Sequence, residues 1–186
     1  MLHAEKDAVD VDRHHRFEQL GRIIRDRVAP PFDPRCIDDA VDLSEDALDV
    51  ALQNVTDYGL EARIELVHTD LYSALEGRRY DLILSNPPYV TRAAMDTLPA
   101  EYLHEPRMAL AAGDDGLDLV RRLIAESAAH LNEGGILAVE VGHNRAIVEH
   151  AFPELPFNWL GTRGGEDMVF VLRREDLPGG RTSSGA

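Results

Sequence analysis

From Cys36 onward, short apolar runs alternate with longer stretches in which apolar residues recur every three or four positions. The runs suit buried strands and the longer stretches suit helices packed on a sheet, so the pattern predicts an α/β fold with a mostly parallel sheet. A strand is expected over Asp39 to Leu43. Ser44 then serves as N-cap to a helix whose Ala47, Leu48, Ala51, Leu52 and Val55 share one face, and Gly59 ends it. Ile64 to His68 reads as the next strand. Leu82 to Ser85 reads as another, expected to be buried on both faces because it barely alternates.

Further along, Leu117, Val120, Leu123, Ile124, Ala128 and Leu131 keep helical spacing, and Gly134-Gly135 leads into an apolar strand from Ile136 to Val141. Phe157 to Leu160 and Met168 to Leu172 flank a turn containing Gly164 and Gly165, which predicts a terminal antiparallel pair. Ahead of all this, Ala8 to Val11 suits one short strand and Arg16 to Val28 a charged helix, interrupted by Ala29-Pro30-Pro31. Three segments result: a divergent or altered opening over residues 1–35, a domain over 36–177, and a disordered tail over 178–186.

Composition narrows the class. A chain of 186 residues that is 44% hydrophobic can bury one core of ordinary size. Its apolar runs span only a few residues, far short of the roughly 20 needed to cross a membrane. The opening MLHAEKDAVD has neither the basic start nor the apolar run of a secretion signal. Cys36 is the lone cysteine, which fits a reducing cytoplasm. Against 19 basic residues stand 34 acidic ones, a formal charge of −15 that repels a phosphate backbone and argues against nucleic acid as a direct partner. Two uses of the acidity stay open: solubility, or attraction of a basic protein. No metal is expected, since His14-His15 and His3 lack carboxylate or cysteine partners at ligand spacing.

The sharpest chemical signal is Asn86-Pro87-Pro88-Tyr89, placed where a strand ends. An amide nitrogen is a poor nucleophile because its lone pair is delocalised into the carbonyl. Alkylating it requires acceptors that grip both N–H bonds and orient the lone pair. The Asn86 side-chain oxygen and the Pro87 carbonyl are two such acceptors, and the prolines fix the direction in which the carbonyls point. Tyr89 adds an aromatic face suited to a planar amide and to a nearby cation. Ligands of open α/β sheets gather at the carboxyl ends of strands, so position and composition agree.

Two acids stand at earlier strand ends. Asp42 suits the ribose hydroxyls of a nucleoside cofactor, and Asp70 the amino group of its adenine, with Leu71 beside the ring. Glu140 at a later strand end reads as a packing or loop-orienting residue rather than a base, and Gly113 to Gly116 as a helix-entry turn.

From about Phe32 to about Leu177 the sequence resembles the glutamine-N5 methyltransferases, which share the Asn-Pro-Pro-Tyr motif with adenine-N6 methyltransferases. Beyond the tetrapeptide, the resemblance rests on Glu101-Tyr102-Leu103-His104-Glu105-Pro106, Ala109-Leu110, Gly113-Asp114-Asp115-Gly116-Leu117 and Glu140-Val141-Gly142. Leu98-Pro99-Ala100-Glu101-Tyr102 and His104-Glu105-Pro106 look most like the branch acting on the third protein of the large ribosomal subunit. The resemblance implies a Rossmann-like class I methyltransferase sheet that uses S-adenosylmethionine. In it Asn86, Pro87 and Tyr89 are catalytic, Asn86 to Tyr89 hold the substrate, and Asp42, Asp70, Leu71 and Asn86 hold the cofactor.

The opening departs from that family, which carries a helical recognition domain and then a strand with a glycine-rich loop. Here Asp12-Arg13-His14-His15 occupies the place of the loop. Either the chain is shortened or altered at its start, or Ala8 to Val11 and Arg16 to Val28 replace the missing strand and helix. Both predict impaired cofactor binding. The competing expectations are adenine methylation in nucleic acid and a non-catalytic remnant or protein-binding module.

Overall fold

The computed structural model describes residues 38–89, 114–162 and 165–181. The opening segment, Cys36 and the stretch from Leu98 to Leu110 that carries part of the resemblance lie outside the described residues.

The first unit is strand, helix, strand. β1 (Asp38–Asp42) and β2 (Ile64–His68) pair in parallel, Asp38 opposite Ile64 through Asp42 opposite His68. Between them runs α1 (Glu45–Asp57). Its first turn is set locally: the Ser44 hydroxyl accepts the Ala47 N–H at 3.3 Å, a cap that contributes about 1 kcal/mol. Glu45 and Asp46 follow, where negative charge offsets the helix dipole. Gly59, in the left-handed region at φ 64°, turns the chain out of the helix. The expected apolar face is only partly covered. Val55 is buried, Leu48 and Ala51 are half-buried, and Ala47 and Leu52 are exposed.

The second unit is a four-stranded sheet in the order β3-β4-β6-β5. β3 (Tyr80–Ser85) lies parallel to β4 (Leu131–Glu140), with Leu82 opposite Ile136 and Ser85 opposite Val139. α2 (Asp118–His130) precedes β4 without a break. After β4 come α3 (Arg145–Ala151) and then the antiparallel pair β5 (Asn158–Thr162) and β6 (Gly165–Arg173), with β6 also antiparallel to β4. A short 3-10 turn, Arg174–Asp176, closes the fold.

β4 is the core strand. Leu137, Val139 and Val141 pack with Val120, Leu123 and Ile124 of α2 and with Phe170 and Leu172, while Ile136 and Ala138 pack on the other face with Val169 and Val171. An apolar run buried on both faces is what a central parallel strand requires. That expectation, made for Leu82 to Ser85, belongs instead to β4: those β3 residues are half-buried because β3 is outermost in its sheet. The strand also starts at Tyr80, ahead of the expected Leu82, and β4 starts at Leu131 rather than Ile136.

A polar cluster joins the starts of β1 and β3. The Asp39 carboxylate, whose side chain is 9% exposed, accepts from Arg78 at 2.8 Å and from the Tyr80 hydroxyl at 2.5 Å. Arg78 also forks onto Glu65 of β2. At the other end of the chain the tail does not begin disordered. Pro178 to Arg181 fold back, Gly180 is buried, and its carbonyl accepts from Arg174 at 3.0 Å. That turn satisfies a backbone group a free tail would leave to water.

Phe170 is fully buried and meets Phe157 and Trp159 edge-on at 5.0 and 5.7 Å. Phe170→Ala is expected to destabilise the protein by about 3–5 kcal/mol in urea unfolding, against less than about 0.5 kcal/mol for Leu52→Ala on the exposed flank of α1. Equal losses would place the core elsewhere.

Candidate active site at the carboxyl ends of the strands

The residues singled out for chemistry lie along one edge, linked by a chain of contacts. At its start, Asp42 ends β1; its Oδ1 accepts the Ser44 N–H at 2.8 Å, and its backbone carbonyl accepts the Thr69 N–H at 3.0 Å. Next to it, His68 places Nε2 2.8 Å from the Leu43 carbonyl, so the loops after β1 and β2 are tied side by side.

Asp70 and Leu71 form a tight corner. Ser73 closes it, its backbone N–H and its hydroxyl both donating to the Asp70 carbonyl. Leu71 sits at φ 49°, the sole non-glycine with positive φ among the described residues. A side chain in the left-handed region costs on the order of 1–3 kcal/mol and persists only where surroundings impose it. The surroundings are visible. Leu71 packs against the main core, and Tyr72 beyond it is buried with its hydroxyl 2.7 Å from Ser127, stacked on the His130 ring at 4.5 Å. The exposed Asp70 carboxylate is oriented by Arg122 of α2, Nη1 to Oδ1 2.8 Å.

α2 carries the edge onward. Just ahead of α2, Gly116 lies against the tetrapeptide loop. The helix-entry reading of Gly113 to Gly116 holds for the described part: Asp115 accepts the Leu117 N–H at 3.1 Å and pairs with Arg121, whose guanidinium holds that carboxyl below its ordinary value.

Asn86 leaves the end of β3 exposed, Pro87 is buried, and Pro88 and Tyr89 are half-buried. Tyr89 is held on three sides. A Cβ at Gly116 would stand 2.7 Å from its carbonyl oxygen, and one at Gly142 2.7 Å from its ring, closer than side chains tolerate; Asn144 donates to the same carbonyl at 2.7 Å. Gly116 and Gly142 have φ of 79° and 56°, so both contact and backbone demand glycine there. Sequence reasoning found Gly116 as part of a helix-entry turn and Gly142 only within a resemblance, and missed Asn144, Arg122 and His68 as site residues. The one local signal was an asparagine at a helix start.

Among the described residues no group of three or more His, Cys, Asp or Glu side chains could hold a metal, and no helix is long and apolar enough to cross a membrane. The charge of Asp42 and Asp70 and their places at neighbouring parallel strand ends fit a nucleoside with a ribose and a base amino group. Each carboxylate is oriented through one oxygen by a protein donor.

This architecture is that of the Rossmann-like methyltransferase fold. The family described as "Methyltransferase small domain" matches residues 31–115. A methyltransferase from Pyrococcus furiosus shares the fold, at a TM-score of 0.53 and 16% identity over 75% of this chain and 63% of its own. Nearer in sequence is the ribosomal protein uL3 glutamine methyltransferase of Neisseria meningitidis, 59% identical over 141 residues, which are 76% of this chain and 46% of that protein. Its namesake in Bordetella pertussis is 50% identical over 139 residues, 75% of this chain and 47% of that one. Over the matched stretch the chain is similar to these ribosomal protein uL3 glutamine methyltransferases. It spans a little under half the length of these relatives.

Burial pushes the Tyr72 phenol up to about 12, against a partial pull downward from the Ser127 hydrogen bond. A tyrosine in the unfolded chain titrates near 10, so this group's contribution is complete below about pH 10 and is lost as pH rises toward 12, a fall of about 2–3 kcal/mol. Urea unfolding from pH 9 to 12 should show a shallower alkaline decline for Tyr72→Phe than for the parent. Identical slopes would mean the phenol is not shielded from water at this corner.

Proposed function

We propose that this chain carries the methyl-transferring part of a protein-glutamine methyltransferase, binding S-adenosylmethionine and modifying a side-chain amide nitrogen of a large-subunit ribosomal protein. The observation that supports it most is the Asn86 to Tyr89 loop, which leaves a buried sheet at a strand's carboxyl end and is held there by Gly116, Gly142 and Asn144.

In this reading the Asn86 side-chain oxygen and the Pro87 carbonyl accept the two N–H bonds of the substrate amide and turn its lone pair outward. Tyr89 supplies the face on which the amide plane rests. Asp42 takes the ribose hydroxyls, Asp70 the adenine amino group, and Leu71 the edge of the ring. Bound S-adenosylmethionine would supply a methyl group on a sulfonium whose departure leaves a neutral thioether. Little general-base help is then needed before transfer, and positioning dominates the rate. The extra proton on the methylated nitrogen is released to water after transfer, so no base at Glu140 is needed before it.

The charge of −15 supports the partner class, since a protein that binds RNA is basic and is drawn to such a field over about a Debye length. The same field repels nucleic acid itself. A substrate of the translation machinery implies the cytoplasm as compartment.

Calorimetric titration with S-adenosylmethionine is expected to show binding that Asp42→Ala and Asp70→Ala each weaken about 10–100-fold, the worth of a charge-assisted hydrogen bond. Absence of binding by the folded chain would sink the reading, and the divergent opening segment makes this its most exposed point. With labelled cofactor and ribosomal protein, Asn86→Ala should lose about 100-fold or more in transfer rate while keeping its fold. Label appearing in DNA or RNA instead would replace glutamine by adenine as the acceptor.

A further inference from the structure

Asn144 stands at the N-cap of α3, where an asparagine side chain ordinarily accepts an N–H from the helix's own first turn. It makes no such bond. Its amide is turned outward, and Nδ2 donates to the Tyr89 carbonyl at 2.7 Å across 55 positions of sequence. The helix thus begins without the bond that its best-placed side chain could give it. Among the described residues, that side chain's hydrogen bond lies on the tetrapeptide loop.

The contact also falls where it can fix the whole loop. At one end, Ser85 is held by pairing with Val139 of β4. At the other, Tyr89 is held by Asn144 at its carbonyl and by Gly116 and Gly142 at its backbone and ring. Between these anchors Pro87 and Pro88 have fixed φ, and each restricts the residue before it. With both ends pinned, the Asn86 side chain and the Pro87 carbonyl keep one relative orientation.

We propose that Asn144 is a positioning residue for amide methylation, acting through the Tyr89 carbonyl to hold Asn86 and Pro87 in their accepting geometry. The functional half of this claim rests on the methyl-transfer reading, and the structural half does not.

Asn144→Asp separates the proposal from a role in folding. Aspartate is as good an N-cap as asparagine but cannot donate to a carbonyl. The variant should melt at or above the parent temperature while its transfer rate falls about 10–100-fold, as expected for a misplaced acceptor pair, with cofactor affinity within about twofold. Asn144→Gln, which keeps an amide donor, should recover part of the rate. A readout independent of activity comes from the sequence, because Tyr89-Val90 is its one Tyr-Val pair. Carbonyl-13C tyrosine with 15N valine therefore gives a single nuclear magnetic resonance correlation reporting the Tyr89 carbonyl. It should move upfield or broaden in Asn144→Asp and Asn144→Ala. An unmoved resonance would overturn the structural half, and a moved resonance with full transfer rate would overturn the positioning role. Absence of transfer by the unaltered chain would count against the methyl-transfer reading, while the carbonyl resonance still decides the contact by itself.

Discussion

The parallel register of β3 on β4 is the constraint on which the site depends. Leu82 to Ser85 run beside Ile136 to Val139, residue for residue, and the β4 partners are completely buried. A slip of one residue would turn Ile136 and Ala138 into the space of Leu137 and Val139 and exchange both faces at once. The register is therefore fixed by packing on two sides. Once it is fixed, the chain leaving β3 at Asn86 and the chain leaving β4 at Val141 emerge side by side, and Tyr89 meets Gly142 and Asn144. The loop's chemistry is local, but its placement is inherited from the core.

α2 extends that placement to the other acids. It packs Val120, Leu123, Ile124 and Ala128 into the core under β4, so its entry at Gly116 and its Arg122 are held in fixed positions over the strand ends. The turn leading into α2 meets the tetrapeptide at Gly116, and the helix itself meets Asp70 through Arg122, so adjoining segments reach both halves of the site. Both contacts are exposed to some degree, so the ion pair adds little stability. Its effect is on direction: it sets where one Asp70 oxygen points.

Much of this was legible in the sequence, and the boundary between legible and hidden has a physical cause. Ile64 to His68 was read without error because its short apolar run stands between more polar residues, and the Ser44 cap because its partner N–H lies only three positions on. The Asn86 to Tyr89 loop was legible for the same reason, its rigidity being carried by its own prolines. β3 was placed in the wrong burial class because an apolar run looks alike whether its neighbours flank it or leave it outermost. α3 went unread because only Val148 of its seven residues is buried, too little for a helical stripe. The Asn144 and Arg122 contacts span 55 and 52 positions, and no local pattern announces such a partner.

The two ends of the strands differ in how far they obey local rules, and the difference points to the site without appeal to relatives. At the amino ends, Asp39, Glu65, Arg78 and Tyr80 satisfy one another in a closed cluster, and Gly134 donates its N–H to Glu175, whose Oε2 alone among the described buried side-chain oxygens finds no partner. At the carboxyl ends, a leucine is held in left-handed backbone and a helix forgoes a cap that its own asparagine could supply. Each departure costs on the order of 1 kcal/mol. Both fix a polar or backbone group at the rim: Leu71 follows Asp70, and Asn144 holds Tyr89. Selection for stability alone would remove such costs, since serviceable substitutes differ by one residue. Their persistence on one edge is what a site that must hold two ligands in register would leave behind.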